Sequence, residues 1–165
     1  MEDLFTSPDN FTIVSGGQSG ADQAGLDWAI RHQVAYDGWC PKGHKTEDGT
    51  LAVEYLLCET PTAYYLQRTE WNVRDSDVTL IFTLGETLQG GSKRTAEFAE
   101  KLGKPWLHIR PGVHPKVVAR FLNRHALRRL NIAGSRESTG PGVSALVQDV
   151  LSASIALGSV TAPRN

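Results

Sequence analysis

Two rhythms of apolar and polar residues share this chain, and each switch between them marks an element. Phe11, Thr12, Ile13, Val14 and Ser15 form a short β-branched run that stops at Gly16-Gly17, which predicts a strand. Ala21, Ala24, Gly25, Trp28 and Ala29 then recur at helical spacing and predict a helix ending near His32. Its inner face is small except for Trp28, so this helix can lie close to a sheet. Residues 77–83 are almost uninterruptedly apolar, the pattern of a strand buried on both faces of a parallel sheet. A helix follows over 92–102, closed by Gly103 and Pro105, with Lys101 and Lys104 suited to the negative end of its dipole. Residues 105–109 read as a strand, 114–124 as a helix and 127–133 as a strand. Pro141 opens a last helix carrying Val143, Leu146, Val147, Val150 and Leu151 on one face. Residues 36–65, punctuated by Pro41, Gly43, Gly49 and Pro61, show no period, and 158–165 read as a frayed tail. Strand–loop–helix units in this order predict an α/β sandwich with a mostly parallel sheet. With no repeat or linker, 165 residues are expected to make one domain over 1–165.

Composition narrows the classes. Seventeen Lys and Arg against eighteen Asp and Glu leave a net charge of -1. That balance argues against nucleic acid as the main partner, because neutralising a phosphate backbone needs a cationic excess. No apolar run reaches the ~18–20 residues of a membrane span, and the acidic start lacks the features of a secretory signal. Cys40 and Cys58 are the only cysteines, too few for a disulfide scaffold or a four-cysteine zinc site. A reducing cytoplasm is the expected compartment.

Ligands of open α/β sheets bind at the carboxyl ends of strands, where the strand order reverses. Two glycine-rich loops are placed to do so here. One runs Ser15-Gly16-Gly17-Gln18-Ser19-Gly20-Ala21-Asp22, the other Gly90-Gly91-Ser92-Lys93-Arg94-Thr95-Ala96-Glu97. Glycine lets a ligand approach the backbone, and a helix start offers unpaired N–H groups at the positive end of its dipole. Ser19, Ser92 and Thr95 add hydroxyls, and Lys93 and Arg94 add charge. The combination suits a small anionic ligand bearing phosphate. The competing explanation is that the glycines only make tight turns and Ser92 only caps its helix. Asp22 opposes an anion at the same dipole, so it is open to capping, to a ribose hydroxyl or to a Mg²⁺-bound water. Two nucleotide fingerprints fail: Gly16-Gly17-x-x-Gly20 is not G-x-G-x-x-G, and Gly91-Ser92 stands where a P-loop needs Lys-Ser/Thr.

Residues 13–22, Gly38-Trp39-Cys40-Pro41-Lys42-Gly43, residues 68–77 and residues 130–138 together resemble the family named putative molybdenum carrier. That family is similar in turn to the Rossmann-like superfamily of LOG and YpsA proteins, which includes nucleotide phosphoribohydrolases. The resemblance implies a Rossmann-like three-layer sandwich, a homo-oligomer (dimer or tetramer), and a ligand that is either a pterin or a nucleotide phosphate. As a carrier of molybdenum cofactor, the chain would seat phosphate on Gly16, Gly17, Gln18, Ser19, Gly20, Gly90, Gly91 and Ser92. Lys42, Arg68 and Arg136 would add charge, Asn72 would share a helix face with Arg68, and Trp39 or Trp71 would stack on the pterin. The alternative is a hydrolase that cleaves the base–ribose bond, with Glu97 activating water and Arg68 holding the phosphate. In this chain Lys93-Arg94 replaces the Gly-Thr of the hydrolase pattern, which favours binding over cleavage. A third reading is a nucleotide sensor without turnover. Cys40, His44 and Cys58 have a spacing open to a metal, and a buried thiol with an exposed imidazole is its commoner meaning.

Overall fold

A computed structural model describes residues 4–158. Five strands form one sheet: β1 (Thr12–Val14), β2 (Ala35–Asp37), β3 (Val78–Phe82), β4 (Trp106–Ile109) and β5 (Arg129–Gly134). All of its pairings are parallel and the order is β2-β1-β5-β3-β4. Five helices accompany them: α1 (Ala21–Arg31), α2 (Tyr65–Arg74), α3 (Gly90–Leu102), α4 (Pro115–Asn123) and α5 (Val143–Ser154). Counted from β5 instead of β1, the strand order becomes 3-2-1-4-5, the order of a Rossmann sheet.

Strand alternation divides the two faces of the sheet. Val78, Leu80 and Phe82 of β3 and Leu130 and Ile132 of β5 enter the main core, with Trp28 from α1, Leu122 from α4 and Val147 and Leu151 from α5. The opposite face carries buried Thr79 and Asn131, whose side chains hydrogen-bond at 3.2 Å. α2 and α3 pack against each other on that side. α3 turns Ser92, Thr95, Ala96 and Ala99 inward, all small enough to bring its backbone near the sheet. This is the three-layer Rossmann-like sandwich that the resemblance implied.

Residues 36–65, which had no readable period, hold the edge strand β2 and then an insertion. Within the insertion Trp39–Cys40 pairs in parallel with Cys58–Glu59, and Lys45–Thr46 folds back on Gly49–Thr50. Leu51 and Leu57 pack with Leu26 and Cys40 into a second, smaller core. The two ends of the described chain meet: Phe5–Thr6 pairs in parallel with Ile155–Ala156, and Gly158 donates its amide to Ser7 Oγ at 2.8 Å. The remainder of the expected tail, 159–165, lies outside the described residues. Among the described residues no helix is long and apolar enough to cross a membrane.

Candidate functional site

The strand order reverses around β5, so the loops leaving β1, β3 and β5 gather at one end of the sheet. They border a cleft of about 580 Å³, closed on one side by α2. Its lining includes Gln18 and Asp22 from the first glycine loop, Gly90, Gly91, Ser92 and Thr95 from the second, and Arg68 and Arg136. Both loops therefore reach one cleft, but they use their glycines differently.

In the first loop the glycines make room for protein. A Cβ at Gly16 would overlap the Arg68 guanidinium, and one at Gly20 the Ser135 carbonyl. Gly17 has φ 77° and abuts Leu51 and Leu57 of the insertion, each 2.9 Å from where its Cβ would stand. Gly16, Gly17, Ser19 and Gly20 accordingly do not line the cleft; what the loop presents there is Gln18 and Asp22. The second loop differs: Gly90 holds a left-handed φ of 54°, but neither of its glycines makes room for other protein atoms. A Cβ at Gly90 or Gly91 would meet nothing within 4 Å. α3 begins at Gly90, two residues earlier than its pattern predicts, and its flanking residue Gln89 makes no side-chain capping bond. The amides of Gly90, Gly91 and Ser92 are thus the acceptor-less first amides of a helix, at the cleft wall.

Charge is concentrated at the same place. Arg68 Nη1 donates to Asp22 Oδ2 at 2.9 Å, and the Gln18 amide donates to the same oxygen at 3.2 Å. Burial pushes the Asp22 carboxyl above its ordinary range, against the opposing pull of Arg68 and the Gln18 amide. Three cations surround the ring of Tyr65, with Arg136 Cζ at 5.0 Å, Lys45 Nζ at 5.4 Å and Arg68 Cζ at 5.8 Å from its centroid. Two donors beside the cleft, Gln18 Nε2 and Arg68 Nε, are buried without a hydrogen-bond partner. Such groups are rare in folded proteins, and these two border the cleft.

Several expected residues lie elsewhere. Lys93, Arg94 and Glu97 occupy the outer face of α3, where Arg94 pairs with Glu97 at 3.2 Å in solvent. The inward face of α3 is Ser92, Thr95, Ala96 and Ala99, and none of Lys93, Arg94 and Glu97 lines the cleft. Lys42 is exposed and outside the cleft. Asn72 spends both ends of its amide on the Trp39 backbone, at 2.8 and 2.9 Å. Trp39 and Trp71 stack edge-to-face on each other, centroids 4.8 Å apart, and neither lines the cleft. Cys40 is buried, its thiol pushed up to about 11 by that burial, while Cys58 is exposed and His44 bonds Glu59 at 2.6 Å. Among the described residues no grouping of His, Cys, Asp and Glu could hold a metal.

Glu47 escaped the sequence reading altogether. It sits in the turn of the insertion's hairpin and accepts hydrogen bonds from the hydroxyls of Ser19 and Ser138, one from the β1–α1 loop and one from the β5–α5 loop. Those bonds hold its carboxyl below the ordinary range, Ser138 first and Ser19 second. Tyr65 was equally silent. One cue was available: it precedes Arg68 by three residues, so a helix there places the two on one face.

The sequence matches the circularly permutated YpsA SLOG family over residues 13–155. A crystal structure of a putative molybdenum carrier protein from Syntrophus aciditrophicus SB is 44% identical, covers 86% of this chain and 92% of its own, and superposes with a TM-score of 0.82. A structure of (E)-4-hydroxy-3-methyl-but-2-enyl diphosphate reductase is 11% identical over 90% of this chain and 59% of that one, with a TM-score of 0.38. No curated protein matches the chain.

Proposed function

The chain belongs to the circularly permutated YpsA SLOG family, and from that premise we propose that it is a carrier holding a small anionic ligand in the cleft between α2, α3 and the β5–α5 loop. The ligand is a phosphate-bearing heterocycle. A pterin of the molybdenum-cofactor type is the first candidate, in keeping with the carrier name of the 44% identical relative. The observation that carries this reading is the convergence on one cleft of the uncapped α3 amides at Gly90, Gly91 and Ser92 with Arg68 and Arg136. Each would meet a phosphate by a different physical route: amides by dipole and hydrogen bond, guanidinium by charge and planar donor geometry. A volume of about 580 Å³ falls within the ~300–1,000 Å³ usual for small-molecule sites. No Cys or His is among the lining residues, so this chain would grip the phosphate and ring of such a cargo and leave its metal end unligated.

Cleavage of a base–ribose bond gains no support from Glu97, which is exposed and not among the residues lining the cleft. Of the carboxylates along the cleft, Asp22 is engaged by Arg68 and Gln18, and Glu86 lies on an exposed loop.

Calorimetric titration with GMP, AMP, hydroxymethylpterin phosphate, inorganic phosphate and molybdate tests the proposal. A phosphate-bearing heterocycle should bind, more weakly as salt rises. Binding of molybdate alone would replace the organic ligand with a free oxyanion, and binding of none would remove the anion cleft. Release of free base from either nucleotide would convert the carrier into a hydrolase.

A further inference from the structure

Gln18 is 4% exposed and sits where the first loop enters the cleft. Its Oε1 accepts two backbone amides, that of Ser19 at 3.1 Å and that of Glu47 at 2.8 Å. Two N–H groups directed at one atom of a carboxamide can meet only its oxygen, so the orientation of this side chain is fixed. The end left over is the NH₂ group, and Nε2 has no partner. Glu47, which supplies one of the two amides, is itself tied to Ser19 and Ser138 through its carboxylate. Glu47 therefore acts as a positioning residue: it locks Gln18 as a donor and pins the loop that carries it.

Gln18 also lies away from the α3 amides, on the side of the cleft where Asp22 joins it to Arg68. It follows β1 and the α3 amides follow β3, with β5 between them, so two strand spacings, roughly 10 Å, separate the two loops. A heterocyclic phosphate laid across β5 would put its phosphate at α3 and its ring toward Gln18. We infer that Gln18 is the specificity-determining residue for that ring, a locked donor that favours a heterocycle presenting an acceptor oxygen at the edge facing it over one presenting an amino group there. This rests on the anion-cleft reading of the preceding subsection.

The test uses ligand pairs in which an oxo group and the ring N–H beside it are replaced by an amino group and a bare ring nitrogen. These are GMP against 2,6-diaminopurine ribonucleotide, and hydroxymethylpterin phosphate against its 2,4-diamino analogue, titrated calorimetrically into the wild-type protein. The oxo member of at least one pair should bind about tenfold or more tightly than its amino partner, because the amino group faces Gln18 donor to donor. Gln18→Glu keeps an oxygen for the Ser19 and Glu47 amides while replacing the donor by an acceptor, and it should shrink or invert that preference. Glu47→Ala should erode the preference and Glu47→Gln should restore most of it. Equal binding of both members by the wild type overturns the inference without need of any variant. So does binding of inorganic phosphate with neither pair recognised, an outcome that leaves the anion cleft standing. Failure of every phosphate-bearing probe removes the cleft reading and this inference together.

Discussion

Gly91→Leu separates a glycine that serves a ligand from one that serves the fold. Gly91 has no left-handed φ, and nothing beyond its own helix backbone and chain neighbours lies within 4 Å of a Cβ built there. The leucine would start in open space and extend over the first amides of α3. Glycine within a helix costs about 0.5–1 kcal/mol relative to alanine, so the unliganded variant should melt at or slightly above the wild-type temperature. A ligand at 100 times its Kd contributes about 2.7 kcal/mol to the wild type. In a domain of this size each kcal/mol moves Tm by about 2–4 °C, so the ligand-induced shift should be about 5–10 °C. The assay is a thermal melt with and without a saturating phosphate-bearing ligand, GMP or hydroxymethylpterin phosphate. Gly91→Leu should keep the baseline Tm and lose most of the shift. Gly17→Leu should do something else: at φ 77°, with Leu51 and Leu57 each 2.9 Å from the new Cβ, it should lower the baseline itself. A Gly91→Leu protein that retains the full shift would show that the start of α3 is only a turn.

Arg136→Ala should leave stability within about 1 kcal/mol, since the side chain's contact is the Tyr65 ring, while weakening phosphate-bearing ligands by tenfold or more and flattening the salt dependence of binding. Arg68→Ala should destabilise by about 3–5 kcal/mol in urea titrations at neutral pH, because it leaves Asp22 buried without its partner. A folded-state carboxyl already raised by burial would rise further, so the deficit should be least below the unfolded carboxyl pKa and grow as pH climbs through the folded one. A deficit independent of pH would contradict that account. Glu47 has the opposite sign: its lowered folded value gives stability that is full above the ordinary 4.5 and is lost as pH falls through the folded value. Urea midpoints followed from neutral to acid pH should therefore converge between wild type and Glu47→Gln, and parallel curves would refute the clamp.

The strands that form the middle of the sheet were legible because burial on both faces leaves a nearly continuous apolar run, as in 77–83. β2 was not, since Ala35–Asp37 is a half-exposed edge of three residues with no such run. The convergence of the two glycine loops could be anticipated from their positions after strands, whereas the duties of individual glycines could not. Gly17 answers to Leu51 and Leu57, more than thirty residues away in the segment without a period, and only the folded insertion brings them together. Glu97 depends on which signal is read: the hydrolase pattern assigns it a role only if the protein cleaves nucleotides, whereas the spacing of Ser92, Thr95, Ala96 and Ala99 defines an inward face of α3 that does not include it. Glu47 offered no cue at all, because its partners Ser19 and Ser138 are 28 and 91 residues distant.

The central strand of this sheet is the last one in the chain. β5 supplies the pairing for both β1, which begins 117 positions earlier, and β3. A polypeptide emerging from the ribosome consequently holds two separate fragments, β1 with β2 and β3 with β4, that share no edge until residues 129–134 are exposed. Closure must wait for residues 129–134, and the unsatisfied borders of both fragments are open to other chains in the interval. Stop codons placed before residue 129 should yield aggregates rather than half-proteins.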